Sequence, residues 1–170
     1  MQPEGGYNCV CVTFRVEGET VQTIVTNYNP DKDPIVHHEI AATHNETRIY
    51  GVINEELSYI PIPWLTKEWT TLFVEWNTST SGKNQGRYII NDNEETGVFT
   101  CKQSTDINEN GITIGGRCDK SRLLTGAICA LEIYTAENTK ANSFPDSLAQ
   151  LIIKNQLIKY DSSYKRKREE

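Results

Sequence analysis

The sequence predicts an all-β fold, a β-sandwich with one short C-terminal helix. Short apolar runs alternate with period two, as in residues 9–16, where Val10, Val12, Phe14 and Val16 share one face. Turn-forming residues separate these runs at short spacing, and no helical pattern lies between them. This arrangement favours a sandwich over a parallel α/β sheet, in which helices would alternate with the strands.

The N-terminal half continues with three predicted strands and one extended segment. The strands are Thr20–Asn27, Val36–Ala42 and Arg48–Ile53, and a polar HNET turn separates the last two. The segment Ile60–Leu65 contains two prolines, which cannot donate ladder hydrogen bonds. We therefore expect it at a sheet edge or in a connection.

The C-terminal half contains the densest β pattern, Trp69–Trp76, which alternates β-branched, aromatic and polar residues. Arg87–Asn91 and Val98–Cys101 flank a short polar turn and predict a hairpin. A short strand at Ile112–Ile114 then leads to a long one at Ala127–Ile133. Because both faces of the long strand are apolar for most of its length, we expect it to be central and covered on both sides.

The last apolar segment is predicted to be helical, since Leu148, Leu151 and Ile152 recur at helical spacing after the cap-like run Ser143–Asp146. The predicted organisation is an N-terminal extension at 1–8, a sandwich at 9–158 and a basic, disordered tail at 159–170.

Composition restricts the function. A chain of 170 residues is long enough for one domain with one core, and its net charge of −6 argues against nucleic-acid binding. No apolar run reaches the ~20 residues of a membrane span, so no membrane insertion is expected. The five cysteines are scattered and odd in number, which favours reduced thiols and no zinc site.

Several motifs resemble those of laminin G-like domains, members of the concanavalin A-like family of jelly-roll sandwiches. The resemblance covers Val10–Leu157 and implies that fold. The motifs that carry it are Trp69 before a buried strand, RYIIN at 87–91, ITIGGR at 112–117, LTGAICALEIY at 124–134 and PDSLAQLIIKNQ at 145–156.

The resemblance implies a recognition module, because the family mostly binds glycans or protein partners through rim loops or one sheet face, sometimes with calcium. Two features depart from the family pattern. The chain lacks the cysteine pair that often joins the last strands of secreted members, and it lacks a secretory start.

Candidate ligand-binding residues are aromatic rings beside loops and one polar connection. Sugars stack on exposed rings and accept hydrogen bonds from cationic and amide side chains. The candidates are Tyr28, Tyr50, Tyr59, Trp64, Arg117, Asp119, Lys120 and Arg122. The alternative interpretation of each ring is partly buried structure, and that of residues 117–122 is a solvated turn.

Metal binding has little support in the sequence. Asp106, Asn108 and Asn110 match the first half of a calcium loop, but Arg117 occupies the twelfth position, where a bidentate Glu is needed. A turn-rich loop is the better interpretation, and no cofactor is expected. Adjacent His37 and His38 point to opposite faces of a strand, and a site joining His38 with His44 has weak support.

Catalysis also has little support. Glycosidases with a lectin-like fold carry two carboxylates on one strand at E-x-D-x-x-E spacing, and that motif is absent here. Glu75 and Glu132 each lack a partner at that spacing. The sequence therefore predicts a protein that is not an enzyme.

The predicted function is non-enzymatic recognition of a glycan or a cell-surface glycoprotein. One alternative is the receptor-binding head of a viral fibre or capsid spike, which would be a homotrimer. The basic cluster Lys165–Arg168, the missing signal and the unpaired thiols suit that alternative. A second alternative is a lectin-fold glycosidase. The expected location is extracellular if the chain is cut from a longer protein, and otherwise cytosolic, nuclear or on a virion surface.

Overall fold

The fold is an all-β sandwich of two antiparallel sheets with one short helix. A computed structural model describes residues 7–31, 38–53, 56–77, 84–101, 111–136 and 148–157. The strands are β1 (Tyr7–Val16), β2 (Gln22–Thr26), β3 (Glu39–Thr43), β4 (Glu46–Ile53), β5 (Glu56–Pro63), β6 (Thr70–Asn77), β7 (Asn84–Ile90), β8 (Glu95–Cys101), β9 (Thr113–Ile114) and β10 (Gly126–Ala136). Helix α1 comprises residues 148–157.

The strands form two five-stranded sheets with jelly-roll connections. Sheet A has the order β10-β1-β6-β7-β8, and sheet B has the order β5-β4-β3-β2-β9. Every pairing between the described strands is antiparallel. The predicted hairpin is confirmed as β7–β8. The proline-containing segment is confirmed as β5, which occupies an outer position of sheet B.

The main core lies between the two sheets and follows the predicted period of two. Val10, Val12 and Phe14 of β1 face Ile40 and other apolar residues of sheet B. The same core receives Leu72, Val74 and Trp76 from β6, Ile49 from β4 and Ile62 from β5.

Strand β10 differs from its prediction in position and in register. Among the described strands it is an outer strand of sheet A, paired with β1 and not central. A β-bulge between Thr13 and Phe14 shifts the pairing, so that Ile128 faces the core together with Leu131 and Ile133. Simple alternation predicts that Cys129 shares a face with Leu131. The extra residue of the bulge reverses the two faces of the strand for the residues before it, so Ile128 points to the core instead.

Helix α1 covers the outer face of sheet A. Its buried residues are Ala149, Ile152, Ile153 and Gln156, and they pack on Cys9, Cys11, Phe73 and Ile89. Leu148 and Leu151 are 38 % and 54 % exposed. The buried face of the helix is therefore not the face that the positions of these leucines predict. Strand β1 consequently has both of its faces buried. No helix in the described part of the chain is long and apolar enough to cross a membrane.

Gln156 fixes α1 to β1 through hydrogen bonds in a buried environment. Its Nε2 donates to the carbonyl of Cys11 at 2.6 Å, and its Oε1 accepts from the hydroxyl of Thr13 at 2.9 Å. Because Gln156 is fully buried, these groups have no water to replace a lost partner.

We expect Gln156→Ala to lower the free energy of unfolding by about 1–3 kcal/mol, because it removes two buried hydrogen bonds, although the hydroxyl of Thr13 keeps its contact with that of Thr71 at 2.8 Å. Urea unfolding followed by circular dichroism would measure the change. Lys154→Ala is the matched control, since Lys154 is exposed on the same helix and should change stability by less than about 0.5 kcal/mol. Equal effects of the two substitutions would contradict this role of Gln156.

The cysteines differ in accessibility. Within the described residues, Cys9, Cys11, Cys118 and Cys129 are not joined by disulfides, and Cys9 and Cys11 lie side by side beneath α1. Burial raises the pKa of the Cys9 thiol far above its ordinary value, so the thiol stays protonated. Cys118 is exposed, although its thiol donates to the carbonyl of Tyr28 at 3.2 Å.

We therefore expect a thiol reagent such as iodoacetamide to modify Cys118 in the folded protein and to leave Cys9 and Cys11 unmodified. Peptide mass spectrometry after native and denaturing labelling would distinguish the sites. Rapid native labelling of Cys9 would show that α1 does not cover this face in solution.

Candidate functional site

The outer face of sheet B gathers most of the sequence-predicted residues into one polar and aromatic surface. Ile40 and Ile49 point into the core, so the alternate residues of these strands point away from it. Glu39 pairs with Tyr50, and Tyr50 pairs with Tyr59, across neighbouring strands. We call this surface the arginine face; its members are Tyr28, Glu39, Arg48, Tyr50, Tyr59, Arg117 and Arg122.

Glu39 lies at the centre of the arginine face and has a fully buried side chain. Arg117 binds it with two nitrogens: Nη2 donates to Oε2 at 2.5 Å, and Nε donates to Oε2 at 3.1 Å and to Oε1 at 3.3 Å. A buried carboxylate requires such compensation, because desolvation of an unpaired charge costs several kcal/mol. Burial alone would lower the pKa of Arg117, but the hydrogen bonds and charge of Glu39 outweigh it and raise the pKa.

A second arginine and a hydroxyl also bind Glu39. Arg122 donates from Nη1 to Oε1 at 3.3 Å, and the hydroxyl of Thr23 donates to the same oxygen. Two guanidinium groups therefore meet at one carboxylate, and Glu39 fixes their positions relative to each other.

Backbone hydrogen bonds hold the connection that carries both arginines against β2. Gly115 donates to the carbonyl of Ile24 at 2.9 Å, and Thr23 donates to the carbonyl of Arg122 at 2.8 Å. Gly115 has a φ of 74°, a conformation that glycine adopts without a steric cost. The IGGR motif therefore turns the chain at the point where Arg117 begins to lie over sheet B.

The tip of this connection is a tight polar turn that includes Asp119 and Lys120. The backbone N–H and the hydroxyl of Ser121 donate to Oδ1 of Asp119 at 2.9 and 2.6 Å. These bonds lower the pKa of Asp119, so its carboxylate stays charged at neutral pH. Lys120 is exposed and has a φ of 64°, as the turn requires.

The tyrosines line the arginine face beneath the guanidinium groups. Arg117 lies 4.4 Å from the ring centroid of Tyr28, and Arg122 lies 5.0 Å from that of Tyr50. Arg48 lies 4.6 Å from the ring of Tyr59, which is itself 5.1 Å from Tyr50. Cation–π contacts of this kind hold an arginine in one orientation.

The three tyrosines differ in what they expose. Tyr50 is only 8 % exposed and lies beneath Arg122, whereas Tyr59 is 39 % exposed and Tyr28 is half-buried. Tyr59 therefore presents the most ring surface to solvent.

The arginine face carries one positive charge in excess. Among the described residues, Arg48, Arg117 and Arg122 form ion pairs with two carboxylates, Glu39 and the neighbouring Glu46. Glu39 accepts hydrogen bonds from Nε and Nη2 of Arg117 and from Nη1 of Arg122. Among the described residues nothing binds the remaining N–H groups of these two guanidinium groups.

Trp64, the remaining predicted ring, lies apart from the arginine face. It contributes to a cleft at one end of the sandwich, together with Trp69, Asn91 and Glu94.

The weaker candidates His38, Glu75 and Glu132 each contact other side chains of the sandwich. His38 is buried and stacks on Trp76 with ring centroids 4.4 Å apart. Glu75 accepts from Arg87 at 2.8 Å, and Glu132 accepts from the hydroxyl of Tyr134, which raises the pKa of Tyr134 to about 12.

The structure does not describe most of the candidate metal ligands. Asp106, Asn108, Asn110 and His37 lie outside the described residues. Within the described ranges, no group of three or more His, Cys, Asp or Glu side chains is placed to hold a metal ion.

Sequence reasoning missed Glu39, Thr23 and Arg48. Glu39 opens an otherwise apolar segment, EIAA, and an acidic residue in a strand that is about to be buried signals a paired charge. That signal could have identified Glu39, but its partners are 78 and 83 positions later in the chain.

Comparison with solved structures shows the fold and no more. The chain resembles the CBM40 domain of a Ruminococcus gnavus IT-sialidase bound to α2,3-sialyllactose, with a TM-score of 0.57, 15 % identity, and coverage of 89 % of this chain and 83 % of that one. A second structure of the same CBM40 gives a TM-score of 0.55, 15 % identity, and coverage of 88 % and 83 %. No protein-family model and no curated protein matches the chain. The sandwich class is therefore confirmed, and the laminin G-like family stays a prediction.

We expect Glu39→Gln to lower the free energy of unfolding by about 3 kcal/mol, because it leaves two partly buried arginines without their counter-charge. Glu46→Gln is the control: it also removes a carboxylate from an arginine of the same face, but its pair with Arg48 is more exposed and should be worth less than about 1 kcal/mol. Chemical denaturation would measure both. A loss no greater for Glu39→Gln than for Glu46→Gln would contradict the central role of Glu39.

Proposed function

We propose that the protein is a non-enzymatic recognition module that binds an acidic glycan through the arginine face. The observation that carries the proposal is the pair Arg117 and Arg122, held side by side by one buried carboxylate with N–H groups left over. A carboxylate-bearing sugar supplies the planar anion that a guanidinium group binds with two parallel hydrogen bonds.

Burial supports a binding function for these arginines. The side chains of Arg117 and Arg122 are 14 % and 29 % exposed, so most of their surface is already desolvated and their rotamers are fixed. Binding then costs little additional side-chain entropy. Glu39 neutralises only part of their charge, and the excess positive charge favours an anionic ligand.

The aromatic residues suit a sugar ring beside the carboxylate. The exposed ring of Tyr59 can stack on the apolar face of a pyranose, and Tyr28 borders the same surface. Tyr50 supports Arg122 from beneath. Asp119 and Lys120, at the tip of the connection, would border the next residues of a longer glycan.

The surroundings of Glu39 favour binding over hydrolysis. A glycosidase needs two carboxylates on either side of the scissile bond. Glu39 is fully buried and bound by two arginines, so it can neither reach a glycosidic oxygen nor act as a proton donor. The fold likeness to a sialidase CBM40 bound to α2,3-sialyllactose agrees with the proposal, since that ligand is an acidic sugar.

We expect Arg122→Gln to weaken binding of α2,3-sialyllactose about 10- to 100-fold, the loss of one or two charge-assisted hydrogen bonds. Isothermal titration calorimetry, with lactose as the neutral comparison ligand, would measure this. Lys154→Gln removes the same charge from the exposed face of α1 and should leave the affinity unchanged. An affinity of Arg122→Gln for sialyllactose equal to that of the unchanged protein, or equal effects of the two variants, would contradict the proposal.

A glycan array that includes uronic-acid and sialic-acid glycans would extend the test to other acidic sugars. An array without signal for any acidic glycan would also contradict the proposal.

A further inference from the structure

A second concave site lies at one end of the sandwich, where three connections meet. These are the β3–β4 turn with Asn45, the β5–β6 connection from Trp64 to Trp69, and the β7–β8 turn from Asn91 to Glu94. They enclose a cleft of about 520 Å³, within the ~300–1,000 Å³ of small-ligand sites. None of its lining residues belongs to the arginine face.

Two indole rings, together with Pro63 and Leu65, form the apolar part of this cleft. Trp64 packs against the main core, and its Nε1 donates to the hydroxyl of Thr70 at 3.2 Å, so its ring is fixed. Trp69 has Arg15 5.5 Å from its ring centroid. Both indoles remain partly exposed. Fixed and half-exposed tryptophans offer ring surface to a ligand at little entropic cost.

The polar groups of the cleft are amides and carboxylates. The Oδ1 of Asn91 accepts from the backbone N–H of Thr71 at 3.0 Å, and its Nδ2 donates to Glu94 at 2.8 Å, which orients that carboxylate. Glu68, also in the lining, is exposed, and Asn45 accepts from the hydroxyl of Thr43 at 3.0 Å. Among the described residues the lining contains two acidic side chains and no cationic one, and Arg15, which lies over Trp69, is paired with Glu17.

We propose that this cleft, the tryptophan cleft, is a second sugar site that binds a neutral pyranose. The apolar face of such a ring stacks on an indole, and its hydroxyls donate to Glu68 and Glu94. The two carboxylates repel an acidic sugar, so the tryptophan cleft and the arginine face select opposite ligands. None of the contacts within the tryptophan cleft involves a residue of the arginine face.

Protein NMR would test the site residue by residue, because the chain has three tryptophans and each gives one indole N–H signal. The probes are methyl glycosides of glucose, galactose, mannose and N-acetylglucosamine. At least one should shift the signals of Trp64 and Trp69 and leave Trp76, which is 3 % exposed in the core, unchanged. Trp→Phe variants would assign the signals.

Two variants probe the contacts. Trp69→Ala should weaken binding of the active glycoside at least about tenfold, since it removes a stacked ring. Glu68→Gln should weaken it severalfold with no change in folding, because the described contacts of Glu68 use only its backbone. Arg122→Gln should leave it unchanged. Melting curves would confirm that each variant folds.

Several results would overturn the inference: no indole shift with any glycoside at millimolar concentration, shifts that survive Trp69→Ala, or shifts that disappear in Arg122→Gln. Binding of lysine methyl ester without binding of any glycoside would identify a cation site and would overturn it as well. Because Arg122→Gln changes only the arginine face and Trp69→Ala changes only the tryptophan cleft, the two variants separate the sites, and either site can fail without the other.

Discussion

The buried carboxylate of Glu39 is the constraint on which the outer face of sheet B depends. Transfer of one charge from water to a protein interior costs several kcal/mol, and only tightly bound partners can offset it. Arg117, Arg122 and Thr23 supply those partners from strand β2 and from the connection after β9. The ion pairs therefore join the connection to the sheet, and the same contacts that neutralise Glu39 also fix two guanidinium groups at the surface.

The sandwich presents two surfaces of opposite electrostatic character. The arginine face has an excess of positive charge over a row of tyrosines, whereas the tryptophan cleft has carboxylates beside indoles. A rigid sandwich can carry both, because one surface uses the face of a sheet and the other uses the connections at one end.

Sequence patterns predicted the fold well and the site in part. Period two located the inner faces of β1 and β6 because alternation follows directly from strand geometry. It failed at β10, where an extra residue, Cys129, changes the register opposite Thr13 and Phe14, since a bulge leaves no mark in hydrophobic alternation. Aromatic and cationic residues beside loops identified Tyr59 and Arg117, but only the pairing of β3 with β4 and β2 shows that they share one surface. The role of Glu39 was not predicted because its partners are distant in sequence.

A crystal structure with α2,3-sialyllactose would test most directly whether Glu39 positions a pair of arginines for an acidic ligand. We expect the ligand carboxylate within hydrogen-bond distance, about 3 Å, of the guanidinium groups of Arg117 and Arg122. We also expect Glu39 to keep its contacts with both arginines, while Tyr59 lies against the sugar ring. A ligand bound elsewhere, or bound at this face only after Arg117 leaves Glu39, would contradict this role of Glu39.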